Sequence, residues 1–341
     1  MRKEKRVTVS DVAERAGVSL KTASRVFNNS PHVSQQKRQA VLEAAEKLNF
    51  KPNMSARQLA SNRSYVLVHF YDNANTDYIA KIYEGMLKAC HKHHYYAVAE
   101  PISLENGTYA DTIINYVSEF NIDGVVLSPP ICDDGKLLAR LRADKINYVL
   151  ISPKDLSPED YSVFVNEVTA SQKMTEHLIE MGHKKIAYVG GPDTHGAARQ
   201  RKKGFENAFT TAFGNIQNNF LVSGDFTMQS GHDAYMKIRQ NMPDASAIFA
   251  ANDEMAFGVM MAALNHGLKI PEDISIAGYD NSRLASLFWP SLTTIAPSVD
   301  EMATCAAEVL INILAGYTKH KRHYEFPVYL FLRDSCAPLK N

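Results

Sequence analysis

The chain has 341 residues, with 37 basic and 37 acidic side chains, so its formal net charge is zero. Hydrophobic residues make up 45% of the chain and charged residues 22%, which is typical of globular proteins and excludes a largely disordered or collagen-like chain. No stretch of about 18 consecutive apolar residues occurs, and charged side chains interrupt the N-terminal segment where a secretory signal would be apolar. We therefore expect a cytoplasmic protein of two or three domains without a membrane partner.

Chemistry based on cysteines, metal ions or a catalytic motif is not indicated. Cys90, Cys132, Cys305 and Cys336 lie far apart and form no C-x-x-C pair, so we expect reduced thiols and no zinc site. The histidine cluster at 91–94 contains no carboxylate and is expected to be a solvated helix end. No G-x-S-x-G, H-E-x-x-H or phosphate-loop motif occurs. The sequence predicts a protein that is not an enzyme and has no cofactor or metal.

The N-terminal segment is strongly basic. Residues 1–64 hold 13 of the 37 basic side chains and 5 of the 37 acidic ones, a net charge of +8, which leaves −8 on the remaining 277 residues. A small basic unit on a large acidic body indicates a polyanionic partner for the small unit. A featureless basic tail does not explain the segment, because it is patterned into short helices.

The first two of these helices are joined by a glycine turn. Thr8 can cap the first helix, with Asp11 three residues on in the place of the usual Glu or Gln. Gly17 provides the turn, and Ser19 can cap a second helix over residues 20–28. Two short helices connected in this way are typical of a helix-turn-helix.

The second helix is predicted to read DNA. Arg is the side chain best shaped for a forked contact with guanine in the major groove, and short polar side chains suit phosphates and base edges. The predicted DNA contacts of this region are Thr8, Ser19, Leu20, Lys21, Thr22, Ser24, Arg25 and Asn28. A generic three-helix bundle is the alternative interpretation.

Two further helices are predicted in the N-terminal segment. One begins after Ser34, and another, short helix covers residues 53–61. The residues of the third helix expected to face inward are Val41, Leu42, Ala45 and Leu48.

Residues from about 65 onward alternate between short apolar runs and helical stretches. Strands are predicted at residues 65–71, 95–99, 124–128, 148–152, 163–166, 185–190, 247–251 and 274–279. Such alternation indicates parallel α/β structure. About 275 residues are too many for one sheet of this kind, so we expect two subdomains.

Polar side chains at strand ends mark a candidate ligand site. Ligands of open α/β sheets bind outside the carboxyl ends of the strands. The polar residues at such ends are Asn73, Ser128, Ser152, Asn252, Asp253 and Asp280. These groups suit a hydroxylated ligand, although capping of a helix or turn is the alternative role of Asn252 and Asp280.

Many segments of the chain together resemble the lactose/galactose repressor family. The resembling segments are residues 7–19, 21–28, 48–53, 56–60, 182–183, 250–253, 276–280 and 292–295, and the similarity covers essentially the whole chain. The resemblance implies an α/β protein with an N-terminal helix-turn-helix headpiece and a two-lobed, parallel α/β core like that of periplasmic binding proteins.

The resemblance also implies a division into three parts. Residues 1–52 are expected to form the DNA-binding headpiece, residues 53–64 a hinge helix and linker, and residues 65–341 an effector-binding and dimerisation core. The N-lobe of the core is expected to contain about 65–165 and 297–325. The C-lobe is expected to contain about 166–296 and 326–341.

In relatives the hinge helix folds on operator DNA, and a leucine matching Leu59 wedges into the minor groove. A helix this short is marginal alone in water, and an apolar wedge bends the duplex. Asn53, Ala56, Arg57 and Leu59 are therefore expected to contact DNA, with a core position as the alternative for Leu59.

The resemblance places an effector in the cleft between the lobes. It adds Tyr78, Arg201 and Phe226 to the site. The expected effector-binding residues are thus Asn73, Tyr78, Ser128, Ser152, Arg201, Phe226, Asn252 and Asp280. Arg201 and Asn252 are expected to donate to ligand hydroxyls and Phe226 to stack on a pyranose ring. The alternatives are a surface ion pair for Arg201 and core positions for Tyr78 and Phe226.

The predicted function is that of a sequence-specific regulator, a repressor that binds palindromic double-stranded operator DNA as a homodimer. A small-molecule effector, a sugar or glycoside, is expected to release or engage it. A nucleobase or nucleoside effector, a solute-binding module and an enzyme on the same scaffold are the alternatives. No leucine heptad follows residues 326–331, so a dimer is expected rather than a tetramer. Ser152 and Pro297 depart from the family pattern, in which Asp and Gln are frequent, so no relative's effector is carried over.

Overall fold

The structure, a computed structural model, describes residues 7–27, 33–50, 58, 61, 63–72, 75–104, 107–215, 220–317 and 321–339. The chain divides into two compact units, residues 1–64 and residues 65–341. Six of the predicted contact residues lie outside the described residues: Asn28, Asn53, Ala56, Arg57, Leu59 and Asn73.

The N-terminal unit contains three described helices, α1 (Val9–Arg15), α2 (Leu20–Phe27) and α3 (Gln35–Lys47). Thr8 and Asp11 form a reciprocal cap at the start of α1. The Thr8 main-chain N donates to Asp11 Oδ2 (2.7 Å), and the Asp11 main-chain N donates to Thr8 Oγ1 (3.4 Å). Gly17, with a φ of +64°, makes the turn towards α2 in a conformation that glycine adopts readily.

The packing of α3 differs from the prediction at one residue. Val41, Ala44 and Ala45 are buried in a small core shared with α1 and α2, whereas Leu42 is 48% exposed. Positions three and four residues apart share one face of a helix, while adjacent positions are turned by roughly 100°. The inward-facing stripe therefore continues from Val41 to Ala44, and the expectation for Leu42 is wrong.

The C-terminal unit alternates strands and helices along the chain. Its first part contains β1 (Val66–Tyr71), α4 (Thr76–His93), β2 (Tyr96–Pro101), α5 (Tyr109–Glu119), β3 (Gly124–Leu127), α6 (Gly135–Ala143), β4 (Tyr148–Ile151) and β5 (Ser162–Val165). Then follow α7 (Glu167–Glu180), β6 (Ile186–Gly190), α8 (Gly196–Phe213), β7 (Leu221–Ser223), α9 (Met228–Asn241), β8 (Ala247–Ala250), α10 (Asp253–Asn265), β9 (Ser275–Tyr279) and β10 (Thr293–Pro297). The last elements are α11 (Val299–Leu314), β11 (His323–Phe326) and β12 (Val328–Phe331).

These strands form two six-stranded sheets. The first has the order β11-β5-β4-β3-β1-β2, with parallel pairing throughout its described strands. The second has the order β12-β10-β9-β8-β6-β7 and is parallel except for the antiparallel pair β10–β12. Central strands such as β8 are buried at every residue, as expected when helices cover both faces of a parallel sheet. The architecture confirms the predicted α/β fold class.

Three connections join the two sheets. The chain passes from β5 to α7 through Asn166, from β10 to α11 through Ser298, and from β11 to β12 through Pro327. Helix α11 packs on α4 and on strands of the first sheet, and α7 packs on α8 beside the second sheet. We call each sheet with its packed helices a lobe. Among the helices of the described ranges, none combines the length and apolar character needed to cross a bilayer.

Candidate functional site

The outer face of α2 carries the side chains predicted to read DNA. Leu20 is 56% exposed and Lys21 and Arg25 are also exposed, whereas Ala23 and Val26 are buried against α1 and α3. Thr22 and Ser24 lie half-buried at the edge of this face. The helix thus presents two cationic side chains away from its apolar contacts, which suits a negatively charged partner.

Two other predicted DNA contacts also cap helices. Ser19 Oγ accepts from the Thr22 main-chain N (3.2 Å) and lies 2.9 Å from Thr22 Oγ1. Thr8 Oγ1 donates to Asp11 Oδ2 (2.7 Å). Both Thr8 and Ser19 are exposed residues. Their caps fix the start of each helix and so orient the exposed side chains that follow.

Only part of the predicted hinge is described. Gln58 and Ser61 are helical, and Gln58 Nε2 donates to the main-chain O of Ser64 (2.7 Å). The contacts predicted for Asn53, Ala56, Arg57 and Leu59, and for Asn28 after α2, fall outside the described residues.

One cavity of the C-terminal unit brings together most of the predicted effector residues. It holds about 610 Å³ of empty space, part of it open to solvent. The cavity is lined by Asn75, Tyr78, Pro129, Ser152, Glu167, His195, Ala197, Arg201, Phe226, Asn252, Asp280, Pro297, Val299 and Met302. Many of these residues follow strands of the two sheets, where ligands of open α/β sheets bind.

Arg201 is buried in the wall of this cavity and is paired with Glu167. Arg201 Nε donates to Glu167 Oε2 (2.8 Å) and Nη2 donates to Oε1 (3.3 Å), which is a two-pronged ion pair. Nη1 donates to the main-chain O of Ala251 (2.7 Å). The guanidinium also lies 3.6 Å from the centre of the Tyr279 ring. Each guanidinium nitrogen of Arg201 therefore donates one hydrogen bond to the protein, and the predicted donation to a ligand, for which Nη1 and Nη2 each keep a second N–H, stays a prediction.

Asp280 connects the two lobes at the cavity. Its φ of +108° is unusual for a residue other than glycine. Asn75 Nδ2 donates to Asp280 Oδ2 (3.3 Å), and Arg201 Nη1 lies 3.5 Å from Oδ1. Lys81 Nζ donates to the main-chain O of Asp280 (3.1 Å) and of Asn281 (2.9 Å). The carboxylate therefore faces the cavity while its main chain is tied to helix α4.

Asp253 lies buried behind Asp280 and shares its electrostatic environment. Thr294 Oγ1 donates to Asp253 Oδ1 and the Ser282 main-chain N donates to Oδ2, both at 2.6 Å. Burial, together with the charge of Asp280, raises the pKa of Asp253 to about 7. Burial likewise raises the pKa of Asp280 to about 6, against the opposing charges of Arg201 and Lys81. Both groups are therefore less acidic than ordinary aspartates.

Asn252 positions Phe226 rather than facing the cavity with a free amide. Its Oδ1 accepts from the Met255 main-chain N (2.9 Å), so it caps α10 as the alternative interpretation held. Its Nδ2 donates to the main-chain O of Phe226 (3.0 Å). The Phe226 ring lies against Gly191, where a Cβ would approach ring atom Cζ to 2.2 Å. A glycine is needed there for the aromatic wall to form.

The structure corrects the prediction for Ser128. Its Oγ lies 2.8 Å from His69 Nε2, and both residues are completely buried beneath the cavity wall. The side chain points into the interior, so the next residue, Pro129, lines the cavity instead. Six of the predicted residues do line the cavity: Tyr78, Ser152, Arg201, Phe226, Asn252 and Asp280. Asn73 is outside the described residues.

Three polar cavity residues were missed by the sequence prediction. Glu167 follows Asn166 at the end of β5, and Asn75 caps α4 by accepting from the Tyr78 main-chain N (3.1 Å). His195 precedes α8, and burial lowers the pKa of its ring. Position after a strand was the available signal for Glu167, but its pairing with Arg201 depends on packing between α7 and α8.

A second set of contacts joins the lobes beside the cavity. Asp133 of the first lobe accepts from the Lys154 main-chain N (2.7 Å) and from the Gly196 main-chain N (3.1 Å) at the start of α8. Gln200 Nε2 donates to the main-chain O of Lys154 (2.8 Å). A Cβ on Gly196 would lie 2.3 Å from Lys154 Cβ. We call Asp133, Lys154, Gly196 and Gln200 the interlobe clasp.

Comparisons with known proteins agree with this arrangement of parts. Residues 8–53 match the model of bacterial regulatory proteins of the lacI family, and residues 175–336 match a periplasmic binding protein-like domain. The probable HTH-type transcriptional repressor ExuR of Bacillus subtilis (strain 168) is 28% identical over 98% of this chain and 99% of its own length. The HTH-type transcriptional repressor PurR of Vibrio vulnificus (strain CMCP6) is 29% identical over 97% of this chain and 99% of its own.

Solved structures show the same likeness over nearly the whole chain. The lac repressor dimer bound to operator and the anti-inducer ONPF has a TM-score of 0.76 and 28% identity, covering 98% of this chain and 100% of that one. The complex of the transcriptional regulator CelR with cellobiose has a TM-score of 0.74 and 27% identity, covering 97% and 100%.

A helix-turn-helix unit joined to a periplasmic-binding-protein-like core defines a DNA-binding transcriptional regulator, and its relatives are repressors rather than enzymes. The chain thus combines a helix-turn-helix domain of the lacI family of bacterial regulatory proteins with a periplasmic binding protein-like domain, and it is similar to lacI-family repressors over nearly its whole length. The resemblance predicted from the sequence is therefore confirmed, as is the prediction that the chain is not an enzyme.

Proposed function

We propose that the chain is a repressor that binds a palindromic operator as a homodimer, and that a sugar or glycoside in the cavity sets its affinity for the operator. One observation carries the proposal: an exposed basic helix and a polar cavity at strand ends occur in separate units of one chain. Ligand binding changes the angle between the lobes and thereby the folding of the hinge, residues 53–64, on DNA. We also propose a cytoplasmic location, where the operator is found.

The DNA-reading role rests on α2. Leu20, Lys21 and Arg25 are exposed beside each other on one helix whose opposite residues are buried. Arg25 is the side chain suited to a forked contact with guanine. Two such helices on a twofold axis require two half-sites of opposite orientation.

Selection of the full chain against random-sequence duplex DNA tests this role. We expect a palindromic consensus, and we expect Arg25→Ala to lower operator affinity by about 10–100-fold, the usual cost of a lost base contact. Arg15→Ala removes an equal charge from α1 and should weaken binding less, without changing the selected sequence. Selection of no common sequence would contradict the proposal.

The homodimer is supported by an exposed apolar surface on the second lobe. Trp289 is 81% exposed and Leu287 67%, and neighbouring Phe288 stacks on Phe257 of α10 at 5.0 Å between ring centres. On α10 itself, Met261 is 43% exposed. Large apolar side chains grouped at a surface mark an interaction site, and the lac repressor in the solved complex is a dimer.

The choice of a sugar rests on the mixture of groups in the cavity. Asp280 offers carboxylate oxygens that accept from hydroxyl groups, while Phe226 offers an aromatic face for the apolar side of a pyranose ring. Ser152 adds a hydroxyl and Asn75 an amide to the same wall. The solved structure of the transcriptional regulator CelR contains cellobiose.

A thermal-shift screen of mono- and disaccharides, glucosides, sugar phosphates and purines tests the choice. A ligand at 100 times its dissociation constant stabilises the fold by about 2.7 kcal/mol, which is readily measured. We expect a sugar to raise Tm, to change operator affinity, and to do neither in the Asp280→Ala variant, which should still bind the operator. Asp155→Ala, at an exposed position outside the cavity, is the matched control.

A nucleobase is the second candidate, because Tyr78 and Phe226 supply two aromatic rings to the same cavity. Relatives named PurR are 28–29% identical to this chain. Stabilisation by a purine, with no response to any sugar, would select this candidate over the first.

A further inference from the structure

The charged side chains that line the cavity are unequal in number. Glu167 and Asp280 are acidic and Arg201 is basic. His195 adds no positive charge at neutral pH, because burial lowers the pKa of its ring. Lys81 contacts the main chain of Asp280, but its ammonium is paired with Asp77 at 3.0 Å. The cavity therefore carries a surplus of one negative charge when both of its carboxyl groups are ionised.

Among the described residues that line the cavity, the one cation, Arg201, is held by the protein on several sides. Two prongs of Glu167, at 2.8 and 3.3 Å, and the carbonyl of Ala251, at 2.7 Å, accept from Arg201. Asp280 lies 3.5 Å from Nη1, and the Tyr279 ring lies 3.6 Å from the guanidinium carbon. An anionic ligand would have to compete with a carboxylate that is already in place.

Glu167 is fixed as firmly as its partner. It is 4% exposed and is the first residue of α7, where the helix dipole favours a negative charge. Helices α7 and α8, which carry Glu167 and Arg201, pack closely: a Cβ on Gly204 would lie 2.2 Å from the main-chain O of Val168. A buried pair of this kind does not open readily to admit another anion, since separation leaves a buried charge without its partner.

We propose that Glu167 is a specificity-determining residue, which neutralises Arg201 and so makes the cavity select neutral or cationic polyhydroxylated effectors against phosphorylated or carboxylated ones. The inference rests on the proposed effector cavity and adds the charge class of its ligand. Repulsion between like charges is strong at this depth, because the low dielectric of a buried site screens it weakly. Glu167 acts by neutralising Arg201, and it thereby lowers the affinity of the cavity for negatively charged ligands.

A graded set of variants tests the proposal with inorganic phosphate as the probe. Glu167→Gln and Asp280→Asn each remove one negative charge from the cavity, and the double variant removes two. Glu272→Gln removes the same charge from an exposed site outside the cavity and is the control. Phosphate is titrated at constant ionic strength, with Tm and calorimetric binding as the readouts.

Affinity for phosphate should rise by at least about tenfold for each carboxylate removed, since a neighbouring unit charge contributes more than this at an effective dielectric of 20. Wild type and Glu272→Gln should bind phosphate only weakly. The proposal would be overturned if wild type bound phosphate as tightly as the double variant does. It would also be overturned if the double variant did not bind phosphate. If Glu167→Gln does not fold, Asp280→Asn alone must show the increase.

The same variants separate this inference from the proposed function. Glucose and glucuronate differ by a hydroxymethyl and a carboxylate group on one ring, so their ratio of affinities reports charge selection directly. We expect the ratio to shift towards glucuronate by about tenfold in Glu167→Gln. An unchanged ratio would overturn the proposed role of Glu167. The proposed DNA-binding function would not be affected, because it is tested separately by the selection of operator sequences.

Discussion

Replacing Asp253 by Asn is expected to flatten the pH dependence of fold stability. Asp253 is completely buried, and burial with the charge of Asp280 raises the pKa of its carboxyl from 3.8 to about 7. A carboxyl whose folded-state pKa is raised stabilises the fold fully below its unfolded-state pKa. That stability is lost as pH rises through the folded-state pKa. For Asp253 the loss should extend from about pH 4 to about pH 7.

The size of the effect follows from the same two pKa values. A shift of about three units corresponds to about 4 kcal/mol in total, of which about 3 kcal/mol falls between pH 5 and pH 8. Asp280, with a pKa of about 6, contributes a loss of the same sign and about 1 kcal/mol over this range. The Asp253→Asn variant should therefore keep the pH-dependent loss of stability that Asp280 causes and lack the loss that Asp253 causes.

Urea denaturation of wild type and Asp253→Asn at pH 5 and pH 8 measures this difference. The new amide cannot accept from both Thr294 Oγ1 and the Ser282 main-chain N, so the variant should be about 1–3 kcal/mol less stable than wild type at pH 5. At pH 8 this deficit should be offset by the roughly 3 kcal/mol that Asp253 costs only the wild type. The change between the two pH values is therefore the decisive quantity. Asp155→Asn, at an exposed site, is the control. Equal losses of stability between pH 5 and pH 8 in wild type and Asp253→Asn would refute the reasoning.

Three further substitutions address the cavity and the surface. Phe226→Ala should weaken a sugar that binds the cavity by about tenfold, since an aromatic contact contributes about 0.5–1.5 kcal/mol beyond area burial; calorimetry would show an unchanged affinity if the ring does not touch ligand. Trp289→Asp should convert the dimer to a monomer in analytical ultracentrifugation, whereas Leu156→Asp, at another exposed apolar site, should remain dimeric. Gly196→Val should push the lobes apart, because its Cβ would lie 2.3 Å from Lys154 Cβ; small-angle scattering should show a larger radius of gyration, and no increase would mean that the clasp yields locally.

The buried strands were the most predictable part of the fold. β8 and β9 are short apolar runs that end in polar residues, and both were predicted close to their observed limits. The strands not predicted were β7, β10, β11 and β12. β7, β11 and β12 lie at the edges of sheets and are only partly buried, so they lack a continuous apolar run. β10 is mostly buried but contains two threonines, and composition does not distinguish it from a loop.

The sequence was sufficient to predict which residues lie at the cavity, but not which contacts their side chains make. Asp280 and Ser152 follow buried strands, which was enough to expect them at the cavity. The direction of a side chain at a strand end was not predictable in the same way, and Ser128 points into the interior. The partner of Arg201 lies 34 residues earlier in the chain, on another helix. Sequence position alone could not show that the arginine is already neutralised.

The interlobe clasp makes the first turn of α8 a reporter of the cavity. The residue before the helix, His195, makes no side-chain cap, and the Gly196 main-chain N instead donates to Asp133 of the opposite lobe. Separation of the lobes would leave this amide to water, while closure around a ligand restores its acceptor. The rate of amide hydrogen exchange at Gly196 should therefore be proportional to the fraction of molecules in which the lobes are separated. The population of molecules with separated lobes can thus be followed in solution at a single backbone amide, without an attached probe and without DNA.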